Sequence, residues 1–167
     1  MELEPLHPGH LCRVLALNAE VAHLTSPLDR KALEQLVGDS DLALVAGHGG
    51  NSVGAVLLAY TDATVRPNPN VDWFRKHLAS FLYIDRVVVG PALRGRGVGR
   101  RLYRAAETWA RDHALSHLAA EVYIDPPNPA SHRFHTALGF HALGDAARGG
   151  KRIRHYAKPL APPAHPP

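Results

Sequence analysis

Three glycines alternate through 94-RGRGVGRR-101, where an apolar run hands over to an arginine-rich helical pattern. Glycine allows positive φ and lets a ligand approach the main-chain amides closely. The first amides of a helix have no carbonyl partner inside it, and they sit at the positive end of the helix dipole. A diphosphate suits them. A plain strand-to-helix turn and a nucleic-acid patch fit the same residues. Two nucleotide fingerprints do not fit. Gly95-x-Gly97-x-Gly99 is not G-x-G-x-x-G, and the run from Gly90 to Gly95 is followed by Arg96 rather than by Lys-Ser/Thr. Two carboxylates, Asp85 and Glu121, lie within apolar runs. A buried acid needs a partner. For Asp85 the adjacent Arg86 offers an ion pair, and Glu121 could hold a substrate ammonium.

The charge distribution narrows the anion. From Arg86 to Arg111 there are seven arginines and one glutamate, a local charge of +6, while the whole chain carries +4. Local basicity points to an anion site rather than to a general nucleic-acid surface. Twelve histidines are scattered, and the pairs His113/His117 and His132/His135 have helical spacing. With one cysteine, Cys12, and no clustered carboxylates, no metal site is expected. No apolar run approaches a membrane span, and the acidic, Pro-containing start is unlike a signal peptide. A cytoplasmic protein is the expectation.

These residues need elements to position them. In 167 residues one domain is expected, over 1–160, with a disordered Pro-rich tail at 161–167. Periodicity predicts a short strand at 2–6, a helix from Gly9 to about His23, and a helix opened by Ser26-Pro27 and running to Val37. Strands follow at 41–47 and 52–60, joined by a turn at HGGN. After a loop at 61–70, a helix at 71–79 turns Trp73 and Phe74 inward. Strand 81–89, helix 97–113, strand 117–124, helix 129–138 and a strand pair at 140–144 and 151–160 complete the chain. In helix 97–113 the apolar stripe is Val98, Leu102, Ala105/Ala106 and Trp109, so Trp109 is expected in the core. The order β-α-α-β-β-α-β-α-β-α-β-β is mixed α/β with hairpins, not a regular doubly wound fold.

Arg94-x-x-Gly97-x-Gly99 resembles the pyrophosphate motif Gln/Arg-x-x-Gly-x-Gly/Ala of the GNAT family of N-acetyltransferases. The preceding YIDRVVVGPALRG is similar to that family's fourth strand and its link to the next helix. Downstream, 128-NPASHRFHTALGF-140 resembles its Asn-x-x-Ala/Ser-x-x-Phe-Tyr-x-x-x-Gly-Phe. YIDRVVV with DPPNPAS is most similar to a bacterial subgroup. The resemblance implies an α/β GNAT fold in a single domain. Its central sheet would be mixed and mostly antiparallel, with helices on both faces and the fourth and fifth strands splayed.

The resemblance also implies acetyl-CoA as co-substrate and a small-molecule or peptide amine as acceptor. It implies no metal, nucleic acid or membrane partner, and it allows a homodimer. Main-chain groups of Gly95, Arg96, Gly97, Val98, Gly99 and Arg100, following Arg94, would hold the pyrophosphate. Val87 and Val89 would pair with the pantetheine arm, and a main-chain N–H near Val87 or Val88 would polarise the thioester carbonyl. Asn128, with Ser131 and Phe134, would border the arm. The attacking amine must lose a proton to a base or a water chain, with Asp85 and Glu121 as the candidate bases. Trp73, Phe74, Tyr83 and Tyr123 would line the acceptor side, core packing being the alternative for Trp73 and Phe74. His135 stands where many relatives have a tyrosine that protonates the leaving thiolate. An imidazolium could do this, or Tyr123, Ser131 or water could replace it. A non-catalytic acyl-CoA sensor and a nucleic-acid binder are the alternatives to an enzyme.

Overall fold

The computed structural model describes residues 2–21, 25–47 and 52–161. The expected HGGN turn and most of the Pro-rich tail fall outside the described residues, and the first helix, expected from Gly9 to about His23, is shorter, running from Leu11 to Ala19. The elements are β1 (Glu2–Pro5), α1 (Leu11–Ala19), α2 (Arg30–Asp39), β2 (Leu42–Gly47), β3 (Ala55–Thr61), α3 (Pro69–Arg75) and β4 (Phe81–Val89). They continue with α4 (Val98–Asp112), β5 (His117–Asp125), α5 (Pro129–Ala137), β6 (His141–Arg148) and β7 (Lys151–Pro159). The strands form one seven-stranded mixed sheet in the order β1-β2-β3-β4-β5-β7-β6. The chain divides into two compact units, residues 1–60 with 84–106 and residues 61–83 with 107–167, so that β4 and α4 each contribute to both.

In the first unit β1, β2 and β3 pair antiparallel. Six of the seven residues of β3 are buried, which matches its nearly continuous apolar run. Helix α1 buries Leu11, Val14, Leu17 and Asn18, and α2 buries Leu33 and Leu36. The expected start of α2 at Ser26-Pro27 is corrected. The helix begins at Arg30, where the Asp29 side chain accepts the Ala32 amide at 2.7 Å. An acceptor at the N-cap satisfies an amide that proline at the first turn would leave unaided.

In the second unit β5 pairs antiparallel with β7, and β7 with β6. The β6–β7 hairpin turns through Gly149 and Gly150, at φ 52° and 75°. Strand β6 is longer than expected because its register with β7 runs from His141 to Arg148, through an irregularity between Ala142 and Gly144. Strands β4 and β5 pair in parallel over Phe81–Tyr83 and His117–Ala119, three pairs within nine-residue strands. Helix α3 starts two residues early, at Pro69, because the Asn68 side chain accepts the Asn70 amide at 2.9 Å.

Trp109 is another correction. Helix α4 buries Val98, Leu102, Tyr103, Ala106 and Ala110. Including Tyr103 and Ala110 rotates the stripe, so Trp109 falls at its edge, half-buried and stacked on His113 with ring centroids 3.7 Å apart. No helix among the described residues is long and apolar enough to cross a membrane.

His155, on β7, is fully buried. Its ring stacks on Trp73 at 4.0 Å, and its Nε2 lies 3.1 Å from Asn70 Oδ1. Burial, assisted by Arg148, lowers its pKa from 6.5 to about 4. Below pH 6.5 the unfolded chain binds a proton that the folded ring resists, so this contribution is intact above pH 6.5 and is lost as the pH falls toward 4. We expect His155→Asn to have a flatter stability profile than the parent over that interval. The difference should be on the order of 2 kcal/mol, measured by urea denaturation at stepped pH.

Candidate functional site

The glycine turn comes first along the chain. Strand β4 ends at Val89, and one 3-10 turn, Pro91–Leu93, leads into Arg94–Gly97. Gly95 and Gly97 have φ values of 72° and 75°. A Cβ at either would meet no atom within 4 Å, so conformation rather than space requires glycine. The turn lets α4 begin at Val98, whose side chain is buried, while the loop stays exposed. The first α-helical bond runs from the Arg101 amide to the Gly97 carbonyl, at 3.1 Å. The amides of Val98, Gly99 and Arg100 therefore come before the point where helix geometry supplies a carbonyl. The side chains of Arg96, Arg100 and Arg101 are exposed on the same segment. Main-chain donors at a helix start, ringed by guanidinium groups, fit a pyrophosphate. Arg94 is used differently, its Nε donating to the Val89 carbonyl at 3.1 Å and fixing the end of β4. A depression of about 250 Å³ beside the turn is lined by Gly47, Ser52, Val53, Gly54, Ala92, Leu93 and Arg96. It reaches the turn but neither carboxylate.

Upstream on β4, burial alternates from residue 85. Arg86 and Val88 are buried, while Asp85, Val87 and Val89 are half-buried. Asp85 accepts a hydrogen bond from Tyr60 Oη at 2.9 Å, and its other oxygen lies 3.9 Å from Arg86 Nε. The Asp85–Arg86 contact considered from sequence is therefore present, within a wider network.

The second unit carries the other candidate residues. Tyr83, 1% exposed, donates its hydroxyl to Glu121 Oε2 at 2.5 Å. Phe74 is fully buried against Phe81, Tyr83 and His155, so its ring belongs to the core and presents no face to a ligand. Trp73 is half-buried and sandwiched between His77 and His155. Tyr123 is half-buried, and Lys151 Nζ lies 3.2 Å from its hydroxyl and 4.6 Å from its ring centre.

Asn128 caps α5, its side chain accepting the Ser131 amide at 3.2 Å. Ser131 then meets His135 one turn later. The carbonyl of Ser131 is 2.8 Å from His135 Nδ1, and its hydroxyl is 3.3 Å away. Phe134, half-buried, sets its ring edge-on to His135. His135 itself is 3% exposed, and burial lowers its pKa from 6.5 against the opposing hydrogen bond to Ser131. A neutral ring with Nδ1–H donating to that carbonyl is the form this environment favours. Among the described residues no group of three or more His, Cys, Asp or Glu is placed to hold a metal ion.

Sequence reasoning missed Tyr60, Asn18 and Lys151. Tyr60 carried a faint signal, since a tyrosine closing the buried run AVLLAY must find a partner for its hydroxyl. Asn18 and Lys151 carried none, because their partners are distant in sequence.

The chain matches the profile of the Acetyltransferase (GNAT) family over residues 11–140, and it belongs to that family. It is similar to two aminoglycoside N(6')-acetyltransferases type 1. One, from Acinetobacter haemolyticus, is 32% identical over 71 residues, or 42% of this chain and 48% of the relative. The other, from Acinetobacter baumannii, is 31% identical over 91 residues, 51% of this chain and 61% of the relative. The match thus spans about half to three fifths of those curated relatives. Among solved structures, Chaetomium thermophilum Naa20 in complex with a bisubstrate analogue superposes with a TM-score of 0.77 at 18% identity. That match covers 96% of this chain and 87% of the other, a likeness of fold.

The positive φ at Gly97 gives a direct prediction. Gly97→Ala should lower stability by about 1–2 kcal/mol, the cost of a left-handed alanine, as measured by chemical denaturation. Ala92→Gly in the same loop, where positive φ is not required, should cost less.

Proposed function

We propose that the protein is an acetyl-CoA-dependent N-acetyltransferase that moves the acetyl group to a primary amine by direct attack in a ternary complex. The observation that carries this is the turn at Gly95–Gly97, with main-chain donors and exposed arginines at the start of α4, in a chain of the GNAT family. Support also comes from the relatives, which are acetyltransferases of aminoglycosides, and from a structural neighbour held with a bisubstrate analogue. YIDRVVV and DPPNPAS favour a bacterial subgroup.

Acetyl-CoA, when bound, supplies the reactive thioester. The turn residues Gly95–Arg100 hold the pyrophosphate, and the main chain of Val87–Val89 aligns the pantetheine arm as an added strand. A backbone N–H near Val87 or Val88 donates to the carbonyl oxygen, where negative charge grows as the amine nitrogen attacks. Asp85 takes a proton from the amine, directly or through water. Its bond from Tyr60 holds the carboxylate in a fixed orientation. Glu121, oriented by Tyr83, is the second candidate base and an anchor for an ammonium group. As the C–N bond forms and the C–S bond breaks, the departing thiolate needs a proton. His135 is the acid candidate at the position of the family tyrosine. A covalent acetyl-cysteine step is disfavoured, because the one cysteine of the chain, Cys12, lies on the N-terminal helix α1.

An acceptor panel tests the reaction. Purified protein with acetyl-CoA and an amino acid, a polyamine, an aminoglycoside, a peptide and a protein lysine should release thiol with at least one of them. CoA binding without turnover across a broad panel would instead favour the acyl-CoA sensor. Steeply salt-dependent binding to random DNA without CoA binding would favour the nucleic-acid reading. Asp85→Asn should reduce kcat by about 10²–10³-fold with the acetyl-CoA KM kept. For His135 the sign of the pH dependence decides. Its lowered pKa means that an acid role requires kcat to fall as pH rises through a value below 6.5. A kcat unchanged by His135→Ala, with no such limb, assigns the proton to another donor.

A further inference from the structure

Gly95 and Gly97 are glycines because of their conformation. Gly54 is a glycine for a different reason. It lies just before β3, its φ is outside the left-handed region, and a Cβ there would fall 2.4 Å from Leu93 Cδ1 and 3.1 Å from Leu93 Cγ. Leu93 is 6% exposed and ends the 3-10 turn that leads to Gly95. Close approach of two segments, rather than backbone freedom, therefore demands glycine at position 54.

Main-chain bonds fix the same contact. The Gly54 amide donates to the Ala46 carbonyl on β2, and the Gly54 carbonyl accepts the Gly90 amide, each at 2.8 Å. The Gly90 carbonyl accepts the Leu93 amide at 2.9 Å, and the Leu93 carbonyl accepts the Arg96 amide at 3.4 Å. A chain of bonds thus runs from β2 through Gly54 and Gly90 to the residue between the two left-handed glycines. Side-chain packing takes the same route, with Leu93 seated where a Cβ of residue 54 would be.

A methyl group at position 54 would not be absorbed on the spot. Rotating Leu93 about its Cβ–Cγ bond carries Cδ1 away but leaves Cγ in place, so the whole side chain must withdraw. Leu93 borders the depression of about 250 Å³ beside the turn, which gives it room to move without opening the core. Its amide and carbonyl are bonded into the 90–96 segment, so the movement is passed to the turn. Preorganised donors act only from a narrow range of positions.

We propose that Gly54 is a positioning residue for the pyrophosphate turn. It lets the start of β3 brace Leu93 from behind, and so sets where the amides of Val98, Gly99 and Arg100 stand. The inference rests on the assignment of that turn to CoA, and the test separates the two.

CoA affinity is measured by titration calorimetry on the full-length parent, Gly54→Ala, Leu93→Ala and Gly54→Ala/Leu93→Ala, each checked for folding by near-UV circular dichroism. Gly54→Ala crowds the brace and Leu93→Ala removes it, so each should weaken CoA binding about tenfold. In the double variant the methyl at position 54 occupies space that Leu93 has left. It should bind CoA within about threefold of the parent, better than either single variant. With the best amine from the panel, the acetyl-CoA KM should follow the same order while the acceptor KM stays within about twofold. A role in stability alone would lower the denaturation midpoints and leave the CoA affinity of the folded variants at the parent value. Parent-like CoA affinity in either folded single variant overturns the proposal, and so does a double variant whose loss is the sum of the two single losses. If Gly54→Ala does not fold, Leu93→Ala and the double variant decide by the same criteria. A parent that does not bind CoA overturns the assignment of the turn and the positioning role with it. A parent that binds CoA no better than every variant overturns the positioning role alone.

Discussion

Strand β4 carries Tyr83, Asp85 and Arg86 almost side by side in a largely buried position, and each must find a hydrogen-bond partner away from bulk water. Tyr83 donates to Glu121 on β5, Asp85 accepts from Tyr60 on β3, and Arg86 donates to α1 and to the α1–α2 connection. An unpaired buried polar group costs roughly 1–3 kcal/mol. The need to satisfy three of them fixes which segments accompany this strand. Any variant that shifts β4 by one residue would exchange its half-buried and buried sets and orphan all three.

The same strand delivers the chain into the glycine turn. Its end is held by Arg94 on the Val89 carbonyl, and the two left-handed glycines then redirect the backbone so that Val98 is buried while the helix start stays open. The proposed chemistry and fold stability meet in this segment. The proposed base, the main-chain groups for the arm and the proposed pyrophosphate cradle occupy residues 85–100. Short-range geometry among them follows from one continuous strand, turn and helix.

Most elements were legible in the sequence because their causes are local. The apolar run of β3, the alternation in β5 and the glycine turn into α4 are all read from neighbouring residues. The errors also have local causes. Asp29 outcompeted Ser26-Pro27 as a helix start, Asn68 advanced α3, and two extra buried positions on α4 moved Trp109 to the stripe's edge. The candidate site was legible where it is a motif, at residues 94–100 and 128–140. It was not legible where it is a network. Tyr60 with Asp85, Tyr83 with Glu121 and Asn18 with Arg86 are separated by 25, 38 and 68 residues.

The sequence by itself determined the element order, the glycine spacing that suits a diphosphate, and the family to which these motifs belong. A glycine's φ freedom and the periodicity of a strand or helix are properties of adjacent residues, so one dimension suffices to read them. Only the tertiary structure decided which polar side chains are buried and what each one binds. It put Phe74 in the core, gave Asp85 a tyrosine partner, surrounded His135 with apolar rings and the Ser131 carbonyl, and turned Arg86 from one member of an arginine row into a buried clamp. Desolvation and hydrogen bonding act through space, and the partners that set them are brought together only when the sheet has formed.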